Sequence, residues 1–319
     1  MDSLKETKRH LPQLNIIRAI ASLAVTIYHL GGKNVPILNY GWLGVEMFFI
    51  LTGFVICWSL PQDFSVQDFP IFIFKRLIRI EPPFFISILI IIPISILIFH
   101  NSSDINLQNI ILHLFYINSY FHTNYLSPVY WTLGIEFQFY ILIGLIFPII
   151  SRSTIGLVIT LIIINLFSFN YPVTFPFIST YMPLFTLGIL IYLYKMDKLA
   201  TLAFYFLITI ALWCIHYKMG VSTTVISCIT GLIILFIRNS HPLIDFFSKI
   251  SFSLYLTHDA IGTTLVILIG NLFTFKTSQT NFFAFSIGMT VAILFAYLFY
   301  ILVEKRLIIL SKKLNYSYK

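Results

Sequence analysis

The chain has 319 residues, of which 58% are hydrophobic and only 10% charged, and it carries a formal net charge of +8. A soluble protein of this length needs more charge to cover its surface, and apolar blocks this long exceed ordinary core helices, so a soluble globular enzyme is excluded. The basic residues sit in short polar breaks beside the apolar blocks, where anionic lipid head groups account for them and no nucleic-acid partner is called for.

In chain order, the blocks near residues 14–31, 41–60, 81–100, 131–150, 154–169, 180–195, 198–217, 221–238, 250–270 and 281–303 predict an all-α, polytopic transmembrane helical bundle of about ten spans. The first block follows the basic stretch MDSLKETKRH and contains Arg18, and no small-residue cleavage site follows it, so it reads as a retained span. Within it, RAIASLAVTIYHL places Arg18 and His29 eleven residues apart. That spacing returns to nearly the same helix face at two depths, about 16 Å apart along the axis.

The second block carries Glu46 in GWLGVEMFFILTGF, about 8 Å below its outer end. FKRLIRIEPPF, with Lys75, Arg76 and Arg79, leads into the third. Residues 101–130, including IILHLFYI, read as an outer loop, a re-entrant piece or an interfacial helix. Glu136 then lies inside the fourth block, in SPVYWTLGIEFQFY. Cys57, Cys214 and Cys228 fall within spans without paired spacing, so neither a disulfide framework nor a zinc site is indicated. No P-loop, dinucleotide turn, metal-type histidine pair or internal repeat is visible. Residues 1–319 read as one membrane domain, with no metal and no permanently bound cofactor.

Placing Lys5, Lys8, Arg9, Lys75, Arg76, Arg79, Arg152 and most of the C-terminal basic residues in the cytoplasm leaves only Lys33, Lys218 and Lys276 outside, so both termini are expected to be cytoplasmic.

Ionisable groups inside spans cost about 2.5–3.5 kcal/mol each at a helix centre and must face protein or a wet cavity. His29, Glu46 and Glu136 lie at comparable depths, so three helices could deliver them to one outer cavity. A neutral histidine can take a proton from a hydroxyl, and a carboxylate on its other ring nitrogen would fix the tautomer; Glu46 is the first choice for that partner. Arg18, Lys75, Arg76 and Arg79 gather cations at the opposite end, a setting suited to a phosphate-rich ligand.

Six stretches now match one pattern: RAIASLAVTIYH, GWLGVEMFFILTGFVI, KRLIRIEPPF, PVYWTLGIEFQFYIL, KISFSLYLTHDAI and LVEKRL. In that order, from residue 15 to residue 306, they resemble the membrane acyltransferase family 3, the bacterial integral-membrane O-acyltransferases. The resemblance implies transfer of an acyl group, usually acetyl from acetyl-CoA, to a hydroxyl of a glycan or other cell-envelope molecule, in the bacterial cytoplasmic membrane. It implies that Arg18 marks the donor's entrance, His29 the reacting end, Glu46 the family's acidic residue, and Arg76 and Arg79 its arginine pair. Trp131, Glu136 and Tyr140 fill the fourth block, and Ser253, Tyr255 and His258 the serine-tyrosine stretch ending in Leu-x-His. Thr52 replaces a common serine, and VEKRL lacks a common proline.

His29, Glu46 and Glu136 are thus the expected catalytic residues, and Arg18, Arg76, Arg79, Trp131, Tyr255 and His258 the expected substrate-binding ones. Whether His29 activates the hydroxyl or first carries the acyl group stays open. The structural alternatives are a histidine bonded between helices, Glu46 as a buried partner of Arg18, Glu136 bracing the bundle through Tyr140, and Arg76 and Arg79 as positive-inside anchors. His258 reads as nearer the membrane middle and channel-lining. The polar residues between His100 and Tyr130 are the stretch able to meet a glycan acceptor. A homo-oligomer is compatible with the sequence, and a transporter of an envelope glycan or small acid is the rival class.

Overall fold

The computed structural model describes residues 11–100, 103–153, 156, 165, 177–273, 275, 277–314 and 316, which among themselves contain helices and no strand. The helices are α1 (Pro12–His29), α2 (Gly44–Ser59), α3 (Phe69–Leu97), α4 (Leu107–Leu114), α5 (Trp131–Arg152) and α6 (Ile178–Lys195). They continue as α7 (Thr201–Met219), α8 (Val221–Phe236), α9 (Pro242–His258), α10 (Thr264–Asn271), α11 (Ser278–Phe299) and α12 (Lys305–Lys313). Six helical stretches of the described residues are long and apolar enough to cross a membrane. Helices also coincide with the other expected spans, except that at 154–169, most of which lies outside the described residues.

Two expectations about element boundaries need correcting. The third span was expected to begin at residue 81, yet α3 starts at Phe69, so KRLIR is helical and its arginines turn inward rather than lying in a loop. Pro82, Pro83 and Pro93 sit inside this helix; prolines are tolerated within membrane helices when neighbours re-satisfy the freed backbone groups. The last span was expected to end at residue 303, but a π-helical turn, Tyr300–Glu304, joins α11 directly to α12. A second π turn, Asp259–Thr263, joins α9 to α10.

The core forms around α2 and α6. Nearly every side chain of α6 from Ser179 to Leu193 is buried, as expected of an all-round apolar helix in the interior of a bundle. Its backbone rests directly on α2: a Cβ added at Gly188 would lie 2.1 Å from the Ile50 carbonyl oxygen. On the other side of α2, a Cβ at Gly44 would lie 2.4 Å from the Ala21 oxygen of α1. Small residues permit such backbone approach, the usual means of packing helices where lipid removes the hydrophobic drive. Phe139 and Phe185 stack at 4.1 Å between α5 and α6. α1 and α9 pack side by side, which sets where the ends of these two helices meet.

Residues 103–130 fold as α4 and a short 3-10 turn around buried His113. Its Nδ1 contacts the Asn109 carbonyl at 2.7 Å, its Nε2 accepts from the Leu126 backbone N–H at 3.0 Å, and Asn118 donates to the Asn109 side chain at 2.8 Å. Burial pushes the His113 pKa below the ordinary histidine value, against the opposing pull of the Asn109 contact. Tyr116, in left-handed backbone, plugs this segment into the bundle by stacking on Phe84 at 5.3 Å.

Candidate active site

A cavity of about 110 Å³ lies within the bundle between α1, α2, α3, α5 and α9. About 10–15 Å³ of such space holds one water, so it has room for several waters or a slender chain. Arg18, Arg76 and Arg79 line one end, Thr52, Glu136 and Tyr140 the wall, and Thr132 and Tyr255 the other end.

The arginines stand in different surroundings. Arg76 donates from Nη2 to Ser59 Oγ at 2.7 Å and lies 5.8 Å from the Tyr140 ring centre. Arg18 stands in the field of Arg79, Glu304 and Glu136. Glu304 is buried and accepts from Ser253 Oγ at 2.6 Å. It sits on the Tyr300–Glu304 π turn, and such turns often occur where a helix must re-aim a functional side chain. A buried carboxylate near two guanidiniums offsets part of the cost of burying each charge.

Glu136 accepts from Thr52 Oγ1 at 2.7 Å and from Tyr140 Oη at 3.0 Å. The hydroxyl that threonine shares with serine makes the first bond, so the Thr52 departure leaves this contact intact. At the far end, Thr132 Oγ1 and Tyr255 Oη lie 2.7 Å apart, and both reach the Val129 carbonyl, at 2.8 Å and 3.3 Å.

Beyond Tyr255 come two histidines. The Tyr255 and His258 rings lie 6.2 Å apart, and the His258 ring lies 5.3 Å from that of His29. His258 is fully buried, its Nδ1 is 2.9 Å from the Leu254 carbonyl, and its Nε2 has no hydrogen-bond partner among the described residues. A carbonyl only accepts, so Nδ1 carries the proton and Nε2 presents a lone pair. Asp259, the first residue of the other π turn, accepts from Ser127 Oγ at 3.1 Å. His258 thus stands at the mouth of the second bend, beside His29.

The structure therefore brings together Arg18, Arg76, Arg79, Glu136 and Tyr255 around the cavity and His29 with His258 beyond it. It does not gather His29, Glu46 and Glu136 in one place. Glu136 bonds Thr52, which is six residues, about 9 Å, further along α2 than Glu46, so α5 enters the bundle at a different depth from α2. Nor does Glu46 pair with His29. It is buried in the first turn of α2, its Oε2 has no hydrogen-bond partner among the described residues, and it lies in the electrostatic reach of the Tyr181 and Tyr255 hydroxyls. Trp131 stacks near Tyr181, ring centres 5.4 Å apart, on that side of α2. Thr52, Ser59, Thr132 and Glu304 were not singled out from sequence as site residues. Glu304 alone had a usable signal, a carboxylate at the end of an apolar block.

Comparison with known proteins bears on this arrangement directly. The acyltransferase domain family matches residues 11–301. A protein of Acidianus two-tailed virus named "Putative acetyltransferase ORF330" is 26% identical over 279 residues, 79% of this chain and 83% of its own length. "Putative O-acetyltransferase SACOL0978" of Staphylococcus aureus is 30% identical over 188 residues, and "O-acetyltransferase OatA" of the same species 29% over 188 residues. These matches cover 52% and 54% of this chain but only 30% of each staphylococcal protein. No solved structure matches.

Proposed function

The chain belongs to this acyltransferase family, and from that premise we propose that it is a membrane O-acyltransferase moving an acyl group, most simply acetyl, from cytoplasmic acyl-CoA to a hydroxyl of a cell-surface polysaccharide or its lipid-linked precursor. The observation that carries the reading is the histidine pair beyond one end of a cavity whose other end is lined by three arginines. Arginine forks suit the phosphates of a CoA nucleotide, and the narrow cavity suits its thioester arm. Arg18 and His29 share a helix face about 16 Å apart, so the two ends of the donor would be held by one rigid element.

In this reading the acceptor hydroxyl loses its proton to the Nε2 lone pair of His258 or to His29 as its oxygen attacks the thioester carbonyl carbon. The C–O bond forms, the C–S bond breaks, and the CoA thiolate takes up the proton. Two adjacent neutral imidazoles serve such a transfer because one can hold the proton while the other stays an acceptor. Glu136, fixed by two hydroxyl donors, positions the arginines rather than the reacting atoms. Glu46 acts from the side of Tyr181 and Trp131, and the ordered segment around His113 is the candidate acceptor platform. The protein would lie in the bacterial cytoplasmic membrane, Arg18 end inward.

The test is mass spectrometry of the cell-surface glycan, with O-acetyl groups preserved, from cells lacking the gene and complemented with wild type or His29→Ala at equal membrane level. Wild type restores an acetyl mass and the variant does not. Full restoration by His29→Ala leaves His258 as the base, full restoration by His29→Ala combined with His258→Phe overturns the mechanism, and a glycan indifferent to the gene overturns the acceptor.

A further inference from the structure

A second and larger cavity, about 470 Å³, opens at the same end of the bundle as Arg18 but on the opposite side of α2. Its walls combine Phe54 and Trp58 with Lys195, Arg238 and Gln13. Phe54 and Trp58 stand one helical turn apart on α2, whereas Val55 and Ile56 face the arginine cavity. The α2–α6 seam beside it is closed by the Gly188 contact with the Ile50 carbonyl. The two cavities are therefore separate compartments.

Among the described residues, Gln13, Lys195 and Arg238 in this second cavity have hydrogen-bonding capacity left over. Gln13 is only 3% exposed, yet its side-chain amide makes no hydrogen bond among the described residues. An amide at the wall of an open space can donate to and accept from whatever enters it. Lys195 donates to the Ile234 carbonyl at 2.6 Å, which leaves two of its three N–H groups free. The charge acting on it is another cation, Arg238. Neither makes an ion pair among the described residues. Two unneutralised cations and an unbonded amide around an open space ask for an anion with several acceptor oxygens.

We propose that this cavity binds the phosphate headgroup of an anionic membrane lipid. A lipid fits better than a soluble phosphate because the surface next to Arg238 is apolar and outward-facing: Phe236 is 71% exposed and Ile237 39%. Acyl chains would lie along α8 while Lys195, Arg238 and Gln13 hold the phosphate. The occupant braces the ends of α1, α2, α6 and α8, of which α1 carries Arg18 and α1 and α2 line the arginine cavity. This inference does not depend on the acyl-transfer reading.

The full chain, purified in neutral detergent, is titrated with phosphatidylglycerol or phosphatidylcholine, and bound lipid is counted by native mass spectrometry alongside thermal melting. Wild type retains one phosphatidylglycerol at low ratios and melts higher with it, and phosphatidylcholine does neither. Lys195→Gln with Arg238→Gln weakens retention at least tenfold with the lipid-free melting temperature unchanged, and Gln13→Leu, which removes no charge, weakens it several-fold. Equal retention by wild type and both variants overturns the proposal. So does displacement of the lipid by adenosine 3′,5′-bisphosphate, which would make the cavity a nucleotide subsite of the donor.

Discussion

His258→Phe separates a structural histidine from a reacting one. Its Nε2 is a buried acceptor with no partner among the described residues, and such a group costs about 1–3 kcal/mol. The Leu254 carbonyl that receives Nδ1–H also belongs to the α9 hydrogen-bond ladder, so losing the imidazole donor leaves it satisfied. Phenylalanine fills the site with a slightly larger apolar ring, and overpacking takes back about 1–3 kcal/mol. The two effects are of the same size, so His258→Phe should melt within about 1–2 kcal/mol of wild type. Its transfer rate should fall about 10²–10⁴-fold, as when a positioned general base is lost. The assay pairs thermal melting of the purified variant in detergent with acetyl content of the glycan from complemented cells. A stable variant with full acetylation refutes a role for His258 in the reaction, and a variant that fails to fold shows that the imidazole is a structural bond.

Removing the hydroxyl in Thr52→Val takes one of two donors from Glu136, and the carboxylate should lose about 1.5–3 kcal/mol of support, read as a lower melting temperature that Thr52→Ser restores. Gly188→Leu cannot fit a Cβ that would sit 2.1 Å from the Ile50 oxygen, so the α2–α6 seam opens and membrane accumulation, followed by immunoblot, drops below a tenth of wild type, which takes a destabilisation exceeding the whole stability of the native state, about 5–15 kcal/mol. The folded-state pKa of His113 lies below the unfolded value, so the folded segment binds fewer protons than the opened one. Its stability is full above about pH 6.5 and falls as pH drops below that, because protonated Nε2 would face the Leu126 N–H. Protection factors for hydrogen exchange over residues 107–126, taken against the intrinsic rate at each pH, should fall between pH 7.5 and 5, and the change should vanish in His113→Gln.

What sequence made legible follows from which forces act locally. Lipid demands long apolar runs, so the helices around residues 14–31, 131–150 and 201–219 were readable almost to their ends. The same cost rule exposed Arg18, His29, Glu46 and Glu136, because an ionisable residue in such a run stands out one residue at a time. The relative depth of two helices was not readable. Glu46 and Glu136 looked level because each was measured from its own span, but Thr52, not Glu46, is the residue of α2 that Glu136 reaches. Depth is set by stagger between helices, and here it rests on backbone contacts such as those of Gly44 and Gly188, which no periodicity reveals.

The encounter of His29 with His258 was illegible for the same reason. His258 looked deeper than His29 when counted along a regular helix, yet their rings lie 5.3 Å apart. Each histidine ends its α-helix, and α9 gives way to a π turn immediately after His258. A π turn widens the helix locally and shifts the register of everything beyond it, and the second such turn places Glu304 near Arg18 and Arg79. Both bends thus fall where the arginine end and the histidine end of one site need a side chain turned inward. A helix kept regular through either bend would carry the same residues and lose the site, so the local irregularities, more than the motif residues alone, define the site.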